Sequence, residues 1–274
     1  MEKGGCTTIN IVRMVLVAFA LALFVVQWAV GDFPLWFFAA PMNLLLGLLW
    51  LLAIWEGYRH RERLAVVRYL LSAEATYVAL AVSVVVAVAL GLQSEPASTS
   101  WPVVGGLLFV QGVLTLVLLR GWRNERGVRW RFLATHIGLW LAVTSALFGA
   151  PDKEILRLQV GAEPTREAVN ERGQKRFLDY ELRLERFDIE RSESGSPEQF
   201  VASVAVDDKV VDIEVNSPYS QRFGEDIYLV NYASEGCVLQ IVREPWRGVT
   251  AVGVVVMLLG AVVLFLQGFG GERQ

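Results

Sequence analysis

The chain has 274 residues, 54% of them hydrophobic, with a mean hydropathy of +0.43 and a formal net charge of −3. Its apolar residues are gathered into long runs, which excludes a soluble globular protein and is the pattern of membrane spans. The basic residues sit in short loops beside those runs, where orientation signals belong, so no nucleic-acid partner is expected.

Six stretches are predicted to span: Met14–Val30, Leu35–Trp55, Ala75–Leu92, Val103–Leu119, Phe132–Phe148 and Val249–Leu266. Each approaches the ~20 residues needed to cross a hydrocarbon core. The first run has no small-residue cleavage site after Trp28, so it is read as a retained span rather than a signal peptide. Arg59, Arg61, Arg63 and Arg68 follow the second span, and Arg120, Arg123, Arg126, Arg129 and Arg131 separate the fourth from the fifth. Gly31–Pro34 and Gln93–Pro102 contain no Lys or Arg. Cationic loops stay cytoplasmic, so both termini are expected inside and residues 151–246 outside. Trp28, Trp36, Trp55, Trp101, Trp122, Trp130 and Trp246 fall at predicted span ends, where an indole buries its ring and wets its N–H.

Residues 151–246 carry 20 acidic and 12 basic side chains, a net charge of −8, and read as strands. Leu178, Tyr180, Leu182 and Leu184 alternate with polar residues, and Phe187 and Ile189 continue on the other parity. That switch predicts a bulge near Glu185 and Arg186. Val204 and Val206, the turn Asp207-Asp208, then Val211, Ile213 and Val215 predict a hairpin with the last three facing a core. Ile227–Tyr232 and Val238–Val242 predict a second, joined across Ala233–Gly236, and Gly195-Ser196-Pro197 predicts a loop. The fold class expected is therefore membrane α plus β: six transmembrane helices, with an exoplasmic antiparallel β domain, sandwich or barrel-like, inserted between the fifth and sixth. The domains are 1–150, a membrane region with five helices; 151–246, the β domain; and 247–274, the sixth helix with a short cytoplasmic tail.

Chemistry-bearing residues are few. Cys6 and Cys237 fall on opposite faces of the membrane in this topology and form no Cys-x-x-Cys motif, so Cys237 reads as a core residue. His60 lies in a wet, arginine-rich loop. His136 lies inside the fifth span, about one turn from its cytoplasmic end. An ionisable side chain there is costly unless partnered. Two roles are open from its position: a ligand to a metal or haem iron, or a histidine hydrogen-bonded to a neighbouring helix. Gln27, Asn43, Glu74, Gln111, Thr115, Thr144 and Ser145 read as packing and interhelical glue, with Asn43 close enough to Pro41 to bond backbone freed by that proline. Gly253 and Gly260 suit close helix contact. No set of catalytic residues is recognised.

The fifth span, Thr135-His136-Ile137-Gly138-Leu139-Trp140 to Phe148-Gly149-Ala150-Pro151-Asp152, resembles the histidine-bearing helix of ResB-like (CcsB) cytochrome c biogenesis proteins. So do Val215-Asn216-Ser217-Pro218-Tyr219, Gly224-Glu225-Asp226-Ile227-Tyr228-Leu229 and Val238-Leu239-Gln240-Ile241-Val242-Arg243-Glu244-Pro245-Trp246, a last hairpin feeding directly into a final span. Leu178–Ile189 is similar to the family's central strand. The resemblance implies a multi-pass protein of the bacterial cytoplasmic (inner) membrane with its large domain periplasmic. It implies work with a CcsA-type haem-handling partner, moving haem b outward for attachment to apocytochrome c. It implies His136 as an axial ligand to haem iron. Gly138 would then leave room for a porphyrin beside the helix, with Phe132, Leu139 and Trp140 as apolar flanks. The outer domain contains no histidine and no tryptophan-rich loop, which puts the external haem site on the partner; an enzyme acting alone is not expected. The alternative is a non-catalytic membrane scaffold whose β domain binds a protein partner. A solute transporter fits poorly, since the sequence has no inverted repeat and no pair of Gly/Pro-broken spans in matching positions.

Overall fold

The computed structural model describes residues 2–92, 100–124, 127–191, 197–233 and 236–267. The chain divides into two units, Met1–Pro151 with Val249–Gln274, and Asp152–Gly248.

The first unit is helical: α1 (Glu2–Val30), α2 (Met42–Arg59), the short α3 (Ala65–Leu70), α4 (Ala73–Leu92), α5 (Trp101–Gly121), α6 (Trp130–Gly149) and α7 (Arg247–Gln267), with a small hairpin, β1 (Arg123–Asn124) and β2 (Gly127–Val128), ahead of α6. Among the described residues five helices are long and apolar enough to cross a membrane: Ile9–Val30, Ala73–Leu92, Trp101–Gly121, Trp130–Asp152 and Arg247–Leu266. Their outward faces carry Phe19, Phe24, Val84, Val85, Leu258 and Leu259, each more than half exposed, a surface that suits lipid rather than water. The expected second span differs. Leu35–Phe38 is a 3-10 turn, and the helix starts only at Met42, after Pro41 at its N-cap. Proline lacks an N–H and disfavours helix at the residue before it, which breaks Leu35–Trp55 into two pieces. α2 then ends on Glu56 and Arg59, and it is not among the five. α5 starts on Ser100, whose hydroxyl accepts from Val103 N, with Pro102 in the first turn.

The second unit is one antiparallel sheet of eight strands: β3 (Glu154–Val160), β4 (Thr165–Asn170), β5 (Lys175–Arg191), β6 (Pro197–Val206), β7 (Lys209–Glu214), β8 (Tyr219–Arg222), β9 (Glu225–Ala233) and β10 (Gly236–Arg243). The spatial order is β7-β6-β5-β4-β3-β10-β9-β8. The sheet curls until its edges meet: Lys209 Nζ on β7 stands 5.3 Å from the Tyr219 ring centre on β8. Of the two expected architectures this is the barrel-like one. Its interior is Leu156, Leu158, Val160, Leu178, Tyr180, Leu182, Val204, Ile213, Ile227, Leu239 and Ile241 with their neighbours. Those positions alternate along each strand, as a sheet with one apolar face requires. The long β5 holds two parities because its register against β6 shifts between Leu184 and Arg186, the expected bulge. Both predicted hairpins form, β6–β7 with Val206 opposite Lys209 and β9–β10 with Ala233 opposite Gly236. Asp207 takes φ 51° in the first turn, a conformation that aspartate tolerates. Val215 is a correction: β7 ends at Glu214, and Val215 is exposed rather than in the core.

A charge cluster closes one end of the sheet. Glu225, 2% exposed, accepts hydrogen bonds from Tyr180 Oη at 2.5 Å, Arg222 Nε at 2.8 Å and Arg243 Nε at 3.0 Å. Burial alone raises a carboxyl's pKa. The Tyr180 hydrogen bond, the Arg243 charge and the two arginine hydrogen bonds outweigh it and hold Glu225 below the ordinary glutamate value. Beside it Asp226 pairs with Arg247 at 2.6 Å, Lys153 with Glu244 at 2.8 Å, and Trp246 Nε1 donates to Asp152 at 2.6 Å.

Two expected outcomes follow. Ile213→Asp places an unpaired charge in the core and is expected to cost about 3–5 kcal/mol, read as loss of folded protein after detergent extraction. Val210→Asp, on the exposed outer face, is expected to stay within about 0.5 kcal/mol; equal tolerance of the two changes would remove the strand assignment. For the cluster, the lowered folded pKa makes the Glu225 contribution fully present above about pH 4.3, the ordinary glutamate value. It is lost as pH falls from there through the folded value. Glu225→Gln is therefore expected to weaken protection of β9 and β10 from hydrogen exchange in the full chain at neutral pH, and to flatten its acid dependence. An unchanged acid slope would contradict the assignment.

Candidate functional site

α6 carries the ionisable residue placed within a span, and its faces are set by its neighbours. Toward α7 it presents small residues. A Cβ added to Gly138 would stand 2.3 Å from Met257 N and 2.6 Å from Gly253 O, and one added to Gly260 would stand 2.7 Å from Thr135 N. The two backbones are therefore in contact, and the Ser145 and Thr250 hydroxyls share a hydrogen bond of 2.8 Å. Gly253 and Gly260 do what their size suggested. Gly138 does not leave room for a porphyrin: α7 fills the space beside it.

Toward α5 the same helix presents polar side chains and aromatic rings. Trp140 Nε1 donates to Thr115 Oγ1 at 2.8 Å. Gln111, fully buried, accepts from Trp50 Nε1 at 2.6 Å and donates to Thr144 Oγ1 at 3.4 Å. Phe132 reaches the space that a side chain at Gly121 would occupy. Asn43 of α2 donates to the Phe148 carbonyl at 2.8 Å, so it ties two helices together and is not spent only on backbone near Pro41. In an apolar surround each of these bonds satisfies a group that has no water to turn to.

His136 stands between Phe132 and Trp140 on that stripe, six residues past the helix start and so about 9 Å along the axis. It is half-buried. Its Nδ1 lies 2.9 Å from the Phe132 carbonyl oxygen. A carbonyl only accepts, so Nδ1 carries the proton, and the neutral ring presents Nε2 as a lone pair. The ring stacks on Phe132 with centres 4.0 Å apart, and the Arg129 guanidinium stands 5.0 Å from the centre of the same phenyl ring. Ile137 and Leu139 beside it are each 38% exposed. A bound haem would meet here one imidazole nitrogen, apolar flanks and a nearby cation, with no recess at Gly138. Among the described residues no group of three or more His, Cys, Asp or Glu could hold a metal ion.

The remaining candidates fall elsewhere. His60 is exposed, with Nε2 2.9 Å from Glu56 Oε1. Cys237 is in the sheet interior, where burial pushes its thiol pKa up to about 11, as an inert core thiol requires. The side chain of Cys6 and the loop 93–99 lie outside the described residues. Sequence reasoning missed the cluster around Glu225, although the signal was there. Counting back along the β9–β10 hairpin sets Arg243 opposite Glu225, a charged pair interrupting two apolar strands.

Residues 125–238 match the family model described as ResB, the ResB-like family. No curated protein matches the chain. Among solved structures the chain is similar to one titled "Cytochrome c Heme Lyase CcmF", at 11% identity and a TM-score of 0.39, over 70% of this chain and 34% of that one. The chain thus spans about a third of that protein's length. The resemblance read in the sequence is therefore to the ResB-like family, and it covers the stretch from just ahead of α6 to the start of β10.

Proposed function

We propose that the chain is a membrane subunit of a cytochrome c maturation complex. With a CcsA-type partner it handles haem b as cargo and delivers it to the exoplasmic face for attachment to apocytochrome c. The observation that carries this reading is His136: an ionisable residue in an apolar helix of the ResB-like stretch, with Nδ1 committed and Nε2 available. The Phe132 carbonyl fixes the tautomer and aims the ring, as a hydrogen-bond partner does for a metal-binding histidine. Arg129, nearer the helix start, offers positive charge to a carboxylate. No residue of this chain is assigned to thioether formation, which the complex performs as a whole.

The membrane arrangement belongs to the same proposal. α2 completes six spans, the arginine-rich loops keep both termini cytoplasmic, and residues 151–246 form the periplasmic domain of a bacterial inner-membrane protein. A cysteine at Glu171, exposed in the β4–β5 turn, is expected to react with a membrane-impermeant thiol reagent in intact spheroplasts, and one at Glu62 only after lysis. The reverse pattern would overturn the map.

A second reading has one observation in its favour. The hydrogen bond to Phe132 and the ring stacking already satisfy His136, so it could serve only to pack a scaffold whose sheet domain binds another protein. His136→Ala separates the two. It is expected to lower the haem co-purifying with the complex several-fold and to stop cytochrome c maturation while the chain still inserts, with partial rescue by added imidazole. Full haem content and full maturation in that variant would leave the scaffold reading.

A further inference from the structure

Phe223 is 78% exposed at the tip of the β8–β9 turn. One exposed ring is ordinary on a protein surface; the surroundings of this one set it apart. One edge, Cε1, lies 3.2 Å from where a Cβ on Gly248 would stand. Gly248 is the second residue of α7, whose apolar span runs Arg247–Leu266. The turn is fixed at that level. Gly224 takes φ +84°, and a Cβ there would stand 2.7 Å from the Glu244 carbonyl oxygen. Glu244 N donates to Gly224 O at 2.7 Å. Immediately behind the turn Arg222 and Arg243 hold Glu225, and Arg247 holds Asp226 and Glu244. The phenyl ring therefore projects past a set of paired charges and lies against Gly248, and in the chain the apolar run begins at the next residue, Val249. That is the layering of a bilayer interface, where polar groups sit at headgroup depth and aromatic rings just below.

We propose that the β8–β9 turn is a membrane contact: Phe223 inserts among the glycerol and upper acyl segments of the outer leaflet beside α7 and ties the sheet domain to the lipid surface. The proposal rests on the reading that α7 spans the bilayer. It adds a lipid partner for a domain whose other expected partners are proteins, and it limits how far that domain lifts from the membrane.

The test uses the full chain carrying Cys6→Ser, with one fluorophore attached through Phe223→Cys, Glu171→Cys or Val255→Cys. Cys237 is fully buried and is not expected to react. Each labelled chain is placed in nanodiscs of phosphatidylethanolamine and phosphatidylglycerol containing lipids with a nitroxide high or deep on the acyl chain. The expected result is loss of most emission at position 223 with the shallow quencher, at position 255 with the deep one, and no loss at position 171 with either. Quenching at 255 without quenching at 223 overturns the lipid contact and leaves the span intact. If 223 is then also shielded from aqueous iodide, a protein rather than lipid covers the turn, which equally overturns the proposal. No quenching at 255 removes the span, and the lipid contact with it.

Discussion

α6 and α7 touch backbone to backbone, and much of the structure depends on that contact. The chain leaves α6 for a domain of eight strands and returns to α7, so the two helices must be neighbours for the excursion to close. Gly138, Gly253 and Gly260 make them neighbours by having no side chain to hold them apart. Inside the domain the same demand is met by pairing. β3, the first strand, lies beside β10, the last, with Leu158 opposite Leu239 and Glu154 opposite Arg243. A domain whose entry and exit strands are hydrogen-bonded partners can be inserted between two adjacent helices without stretching either connection.

The close approach on one side of α6 decides what the other sides can do. With α7 packed against Gly138, a flat ligand cannot lie there. The stripe of Phe132, His136 and Trp140 faces α5, and Ile137 and Leu139 remain exposed beside it. The polar residues of the bundle are committed elsewhere, Gln111 to Trp50 and Thr144, Thr115 to Trp140, and Ser145 to Thr250. Among the described residues Nε2 of His136 accepts no hydrogen bond.

What was legible in the sequence followed from strong periodicities. The apolar runs located α4, α5, α6 and α7 within two residues at each end, though α1 starts well before Met14 and α2 well after Leu35, and the parity switch in β5 located its bulge. The two hairpins were readable from alternation and their turns. The misreadings share a cause, which is that a local pattern does not say what packs on it. Gly138 suggests empty space when read alone and is a helix crossing in three dimensions. Val215 continues an alternation that the chain abandons at Glu214. The second apolar run passes over Pro41 as though proline were another apolar residue. Glu225 and Arg243 are far apart in sequence, and only the hairpin register shows them as one pair around a buried carboxylate. His136 stood out because charge within an apolar run is rare, but its committed nitrogen is visible only in coordinates.

The central claim is that Nε2 of His136 binds haem iron. The most direct measurement is the electron paramagnetic resonance spectrum of ferric haem held by the purified complex, with the parent chain beside His136→Met. Ligation by His136 is expected to show as a changed axial-ligand signature in the variant, because a thioether replaces an imidazole on the iron. An unchanged spectrum at full haem occupancy would contradict it, and would leave His136 as a hydrogen-bonded packing residue of α6.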